Sequence, residues 1–287
     1  MTTLRAGFIL FVFLAVTLVG LGPQWLFVKF RLPLWRALAH AYHRFTCRLF
    51  GIRVAVVGQP LQGGVLITAN HTGWLDITIL SAVKPVSFVS KSEVADWPLF
   101  GTLARLQRTI FIHRKRAQAL EDRDTIRKRL EQGDALVLFP EGTSSDGNRV
   151  LPFRSALLSA AELPLAHNAR GTVHPPVQPV SVAYVGLHGI PMGRETRPLF
   201  AWYGDMELVP HLWEALKTGP IDVTVEFHKP LTIDEAGGRK ALAAACEAAV
   251  RAGLVRALSG SDAGAAAPQQ DEALREALED AETEEAA

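Results

Sequence analysis

An α/β fold with a largely parallel central sheet flanked by helices, entered through a membrane-anchoring helical segment, follows from three features of the sequence. No charge interrupts the stretch from Ala6 to Val28. From Gly51 onward, short apolar runs of strand length alternate with helical segments. Polar, glycine-bearing loops follow several of the strand-like runs. Strand and helix alternating at this spacing favour parallel pairing, since a crossover helix carries the chain back to start the next strand.

The first apolar stretch opens AGFILFVFLAVTLVGLG, and a helix of about 20 such residues crosses a bilayer. Only Arg5 precedes it, whereas Lys29, Arg31, Arg36, Arg44 and Arg48 follow. The positive-inside rule then puts the downstream chain in the cytoplasm. A cleaved signal peptide fits less well, because the run is long for that purpose and no small-x-small site precedes Pro23. Gly20, Gly22 and Pro23 leave open a helix that enters one leaflet only. Residues 33–50 continue as an amphipathic helix, with Leu34, Leu38, Ala41, Phe45 and Leu49 as its apolar stripe and Arg36, Arg44 and Arg48 on other faces. A basic helix that also carries Trp35, Tyr42 and Phe50 suits the membrane interface. His40 and His43 have no carboxylate near them in sequence to complete a metal site, so they read as its polar face.

Beyond Gly51, IRVAVVG and GGVLITAN read as strands, LDITILSAV as a helix, PVSFVS as a strand and WPLFGTLARL as a helix. TIFIHR is the next strand, and QALEDRDTIRKRLEQG is an amphipathic helix ended by Gly133. ALVLFPEG is a strand with its exit loop, RSALLSAAEL a helix and VQPVSVAYV a strand, with Pro179 and Val180 packing the sheet. DVTVEFHKPL and the Ala-rich helix of residues 236–258 complete the domain. The organisation is thus an anchor and interfacial helix over residues 1–50, a catalytic-sized domain over 51–258, and an acidic tail over 259–287.

Charge divides along the same boundary. Residues 1–258 hold 29 Lys and Arg against 20 Asp and Glu, a net of +9, while the tail holds one Arg against nine acids. The basic body suits an anionic membrane surface or a phosphate-bearing substrate, and is too diffuse for nucleic acid. The basic helix from Arg116 to Arg129 reads as a solvated face. Cys47 and Cys246, without CxxC spacing, read as buried thiols rather than a disulfide framework or zinc site.

Three strand ends carry chemistry. At the first, Asn70-His71-Thr72-Gly73-Trp74-Leu75-Asp76 places an imidazole at a strand exit and a carboxylate at a helix start. That spacing lets Asp76 hold one ring nitrogen protonated and leaves the other as a general base; a turn histidine beside an unrelated helix-capping aspartate has the same spelling. At the second, Phe139-Pro140-Glu141-Gly142-Thr143-Ser144-Ser145 forms either an anion-cradling turn or an ordinary strand exit. At the third, Arg114 ends TIFIHR, suited to a phosphate or to a solvated basic edge.

Taken together, NHTGWLD, KSEVADWPLFG, TIFIHR, FPEGTSS and VQPVSV occur in the order of the glycerolipid acyltransferases. From about residue 50 to 230 the chain resembles the bacterial lysophosphatidate (1-acylglycerol-3-phosphate) acyltransferases with the NHxxxxD motif. The resemblance implies that His71 takes the proton of the lysolipid hydroxyl and Asp76 orients it. It further implies that Arg114, Glu141 and Gly142 bind the glycerol phosphate, with Thr143 and Ser144 shaping the pocket. The implied donor is acyl-CoA or acyl carrier protein, and the implied location is the cytoplasmic face of a bacterial inner membrane. A thioester is already activated, so a positioned base suffices without metal, cofactor or covalent intermediate. Backbone N–H groups near the helix start after His71 are the expected oxyanion donors.

Two positions depart from that family's pattern, Arg108 in place of its usual glycine and His113 in place of its frequent aspartate. A cation at 108 near the acceptor would favour a different lysolipid, such as lyso-ornithine lipid, over lysophosphatidate. Two further readings are a serine hydrolase using Ser144 or Ser145, which lacks a GxSxG elbow, and a membrane-anchored lipid-binding protein that keeps the fold without the chemistry.

Overall fold

A computed structural model describes residues 2–112, 118–168 and 171–260. The chain opens with helices α1 (Thr2–Lys29) and α2 (Leu34–Phe50). There follow β1 (Ile52–Val57), β2 (Val65–Ala69), α3 (Trp74–Val83), β3 (Ser87–Lys91), α4 (Phe100–Leu106), β4 (Ile110–Ile112), α5 (Ala119–Glu131) and β5 (Ala135–Leu138). The second half holds the hairpin of β6 (Ala166–Asn168) and β7 (Gly171–Val173), then β8 (Val177–Leu187), β9 (Ile190–Pro191), α6 (Leu208–Thr218), β10 (Ile221–Phe227), α7 (Ile233–Ala236) and α8 (Arg239–Ser259).

The main sheet runs β1-β10-β8-β2-β5-β3-β4, with β9 paired to β8. Strands β8, β2, β5, β3 and β4 are mutually parallel, and β10 pairs antiparallel with β8 and parallel with β1. Every residue of β2 and β5 is buried, as befits central strands covered on both faces, which explains why Thr68 is their only polar side chain. On β2, Val65, Ile67 and Ala69 join the core beneath α1, α2, α3 and α6, while Leu66 joins the opposite core with α5 and α8. Cys47 lies in the first core and Cys246 in the second, so the sheet separates the two thiols.

Helix α1 keeps Pro23 within it and packs along much of its length, burying Ala6, Ile9, Phe13, Thr17 and Gln24. These recur at near-helical spacing, so one face is covered, while Phe8, Phe11, Leu18, Val19 and Trp25 stay exposed. The expected stripe of α2 is not its covered face. Trp35, Ala39, His43, Thr46, Cys47 and Phe50 are buried against the domain, whereas Leu34 and Phe45 are exposed. Helix α2 packs on α3 and α1, and Leu38, Ala41 and Phe45 of its stripe line the cavity between the helices.

His40 and His43 also part company. His40 Nδ1 meets the carbonyl of Ser81 at 2.8 Å, and His43 Nε2 meets Gln107 Oε1 at 2.9 Å. His43 is thus inside the protein rather than on a polar helix face, and burial pushes its pKa down to about 4. Residues 154–163, expected as an α-helix, instead form tight 3₁₀ turns over Ser155–Glu162, packed against α5 and α8. Helix α6 carries Pro210, a residue that breaks a helix interior. It falls in the first turn, where a missing N–H has no helical partner to lose. The tail from residue 261 lies outside the described residues.

Candidate active site

Two loops at the C-terminal ends of β2 and β5 meet beside the mouth of an apolar cavity. Beyond β2, Asn70 continues the sheet with its side chain: Nδ2 donates to Val182 O at 2.9 Å and Oδ1 accepts from Val182 N at 2.8 Å. This carboxamide mimics one more ladder residue and fixes where His71 leaves the sheet. Gly73 then begins α3, and Asp76 in the first turn reaches back to the helix start.

Four donors converge on the fully buried Asp76. Oδ2 accepts from Thr72 N at 2.6 Å, Gly73 N at 2.9 Å and His71 Nδ1 at 2.8 Å, and Oδ1 accepts from Tyr184 Oη at 2.8 Å. A carboxylate serving as acceptor to all of them leaves Nδ1 of His71 as a donor, so Nε2 carries the free lone pair. Burial first, then the nearby Asp76 charge, raises the Tyr184 phenol well above its ordinary pKa, which keeps it a donor. The His71 side chain is 21% exposed. Its ring stacks on Phe139, with centroids 4.0 Å apart and planes 17° from parallel. A base held by a hydrogen bond on one nitrogen and a ring on one face has few orientations left.

The two loops are laced together. Ser145 N donates to His71 O at 2.8 Å, Trp202 N donates to Thr72 O at 2.9 Å, and Ser144 Oγ donates to Trp202 O at 2.5 Å. Gly73 is required by this closeness, since a Cβ there would sit 2.8 Å from Trp202 N. Ser145 Oγ donates to Arg149 O at 3.1 Å. With both hydroxyls directed at carbonyls, neither serine is arranged as a nucleophile against His71.

The remaining expected residues occupy different depths. Glu141 is buried beneath the site, and neither carboxyl oxygen has a hydrogen-bond partner of normal geometry. Burial, aided by the Asp76 charge and opposed by the nearby N–H groups of Leu151 and His71, pushes its pKa up to about 8. Gly142 takes a left-handed φ of 71°, with the Arg154 guanidinium 3.4 Å from where a Cβ would stand. Thr143 is exposed and Ser144 half-buried. Arg114 lies outside the described residues, as does His113.

Two expectations change. The N–H groups of Thr72 and Gly73, at the helix start after His71, are already bound by Asp76 and so are not spare oxyanion donors. Arg108 is remote from His71: it precedes β4, at the sheet end where β5 begins. There its guanidinium lies 3.8 Å from Asp134, at the opposite end of the parallel strands from His71. Tyr184, Phe139 and Trp202 had no assigned role in the sequence reading. The signal for Tyr184 was a phenol inside an otherwise apolar strand, which needs a partner when buried.

From His71 a cavity of about 480 Å³ extends between α1, α2, α3 and α4, past Trp74, Phe88 and Leu103, to Gln107. Apart from these polar ends its walls are mostly apolar, and Trp97 and Trp202 meet edge-on 5.6 Å apart among its lining residues.

The family model described as Acyltransferase matches residues 53–183. A lyso-ornithine lipid O-acyltransferase of Brucella abortus (strain 2308) is 46% identical over 262 residues, which span 91% of this chain and 97% of that protein. Another of that name from Rhizobium meliloti (strain 1021) is 41% identical over 88% of this chain and 86% of its own. A 1-acyl-sn-glycerol-3-phosphate acyltransferase of Neisseria gonorrhoeae is 32% identical over 68% and 72%. The crystal structure of the 1-acyl-sn-glycerophosphate acyltransferase of Thermotoga maritima aligns with a TM-score of 0.57 over 89% of this chain and 98% of its own, at 21% identity, a likeness of fold.

Proposed function

Because the chain belongs to the acyltransferase family that includes lyso-ornithine lipid and 1-acyl-sn-glycerol-3-phosphate acyltransferases, we propose that it acylates the free hydroxyl of lyso-ornithine lipid. The donor is a thioester, acyl-CoA or acyl carrier protein. One observation supports the chemistry above all: the Tyr184–Asp76–His71 chain of hydrogen bonds ends on an imidazole at the mouth of an apolar cavity.

In this reading His71 Nε2 takes the hydroxyl proton as the acceptor oxygen attacks the thioester carbonyl. The tetrahedral intermediate collapses, the C–S bond breaks, and the departing thiolate recovers the proton from the imidazolium. Asp76 stays an acceptor throughout and stabilises the imidazolium, as the carboxylate does in a catalytic triad. The cavity holds an acyl chain beside the reacting carbon, and the ring stack on Phe139 keeps the base aimed at it.

The choice of acceptor rests on the relatives. Proteins named for lyso-ornithine lipid are 46% and 41% identical to this chain, against 32% for the Neisseria enzyme named for lysophosphatidate. Lysophosphatidate, the acceptor the sequence motifs first suggest, is the second reading. Both lipids carry an anionic group, which a body of net charge +9 over residues 1–258 attracts. Helix α1 lies against the domain by one face and offers the other to a bilayer. This favours a helix embedded alongside the domain at the cytoplasmic face, where acyl thioesters are supplied, over a lone span.

Purified enzyme offered lyso-ornithine lipid and lysophosphatidate, each with acyl-CoA and with acyl carrier protein, tests this directly. Higher kcat/KM for lyso-ornithine lipid is expected. Faster acylation of lysophosphatidate with either donor would install the second reading.

A further inference from the structure

At the end of the sheet away from His71, three cations surround one carboxylate and a fourth stands close by. Asp134, buried just before β5, is bonded by Arg36 of α2 and Arg129 of α5, and Arg108 stands 3.8 Å away. Arg129 is used up inside the protein: besides Asp134 it donates to Arg108 O at 3.0 Å and Ser87 Oγ at 3.1 Å. Arg36 and Arg108 are different. Their side chains are 42% and 31% exposed, and both guanidinium groups lie over the Trp35 ring, 5.5 and 5.0 Å from its centroid. Arg31, at the turn between α1 and α2, is exposed and close enough for its charge to oppose that of Arg108.

The surroundings of this cluster are those of a bilayer interface. It sits where the apolar α1 ends, with Lys29 in the last helical turn over the exposed Trp25 ring at 4.4 Å. Phe30, Leu32 and Leu34 are exposed on the same corner. Arg108 also holds a φ of 57°, a left-handed conformation that is uncommon for a long side chain and usually left to glycine. A guanidinium is kept here despite the backbone it needs, despite three like charges, and with one shared carboxylate to offset them.

We propose that the corner between α1 and α2 binds the phosphate of an anionic phospholipid of the host bilayer, held by Arg31, Arg36 and Arg108. Guanidinium groups suit phosphate because their forked N–H pairs match its oxygens. The aromatic and aliphatic rim enters the acyl region while the cations stay at head-group depth. The cluster is separate from the catalytic base, since it occupies the N-terminal ends of β3, β4 and β5 and His71 follows the C-terminal end of β2. It orients the domain on the membrane rather than taking part in transfer.

This inference rests on the membrane apposition of α1 proposed above, and the two fail differently. The test is flotation of the full-length protein with vesicles of phosphatidylcholine alone and of phosphatidylcholine with phosphatidylglycerol. The site variant is Arg36→Gln with Arg108→Gly, the latter compatible with the left-handed backbone; Asp134 keeps Arg129. The charge-matched control is Lys229→Gln with Lys240→Gln, both exposed elsewhere. Wild type and control should prefer the phosphatidylglycerol vesicles, and the site variant should lose about thirtyfold of that preference, the effect of two basic groups near an anionic surface. All three should bind neutral vesicles alike; failure there by wild type would overturn the apposition of α1 itself. Equal preference in wild type and site variant, or an equal loss in the control, would overturn the site. So would inorganic phosphate that binds wild type but not the site variant and leaves the vesicle preference of wild type untouched, which would assign the cluster to free phosphate.

Discussion

Asp76, behind the turn that follows β2, and Glu141, in the turn that follows β5, are both buried at the same rim of the sheet, yet only the first is ringed by donors. Two backbone N–H groups, an imidazole and a phenol address Asp76. Neither oxygen of Glu141 has a hydrogen bond of normal geometry, and its carboxyl is pushed up to about 8. Burial alone puts a proton on a carboxyl group, whereas preorganised donors let it act as an acceptor. One rim therefore holds an acceptor that steers a base and, in the neighbouring loop, a buried acid that favours its proton.

Removing the acceptor breaks the comparison hardest. Asp76→Asn presents an amide where four donors converge, and its N–H₂ competes with the His71 proton. The imidazole then loses its tautomer, and kcat should fall about 10²–10⁴-fold, with KM for the acceptor nearly unchanged, as read by initial rates at saturating donor.

Tyr184→Phe takes away one donor of the four and leaves the ring volume in place. A buried hydrogen bond to a charged group contributes about 1.5–3 kcal/mol, so kcat should fall roughly tenfold to a hundredfold. A loss confined to KM, or a rate equal to wild type, would mean that Oη does not position Asp76.

Glu141→Gln sharpens the contrast from the other side, through stability rather than rate. In the fold this carboxyl keeps its proton up to about 8, while its ordinary value is 4.5. Between those values the folded state binds more protons than the unfolded one, so stability falls as pH rises through the window and levels off above it. The glutamine variant lacks that slope. Near pH 5 the two proteins should melt alike, and by pH 8.5 the variant should be several degrees more stable; parallel melting curves would show that Glu141 is ionised in the fold.

The same physics decides what was legible in the sequence. Nearly continuous apolar runs at residues 65–69 and 135–138 gave away buried parallel strands, and the loops after them gave away the site, because a base needs a carboxylate at a fixed offset. Contacts across the sheet left no such trace. Tyr184 reaches Asp76 from 108 positions away, and Trp202 bridges two motifs that share no local pattern with it. The stripe on α2 is legible as a period, but periodicity alone does not say which side of the helix meets the protein. The separation of Arg108 from His71 left no trace for a related reason. Only four positions separate it from Ile112, but they enclose β4, and a strand carries its two ends to opposite ends of the sheet.

The most direct test of the whole reading is the initial rate of acyl transfer to lyso-ornithine lipid by wild type and His71→Ala, at equal protein folded by circular dichroism. With Nε2 as the general base, the variant should be slower by about 10²–10⁴-fold while still binding neutral vesicles. A variant that retains more than a tenth of the wild-type rate would contradict His71 as the base and, with it, the role assigned to Asp76 and Tyr184.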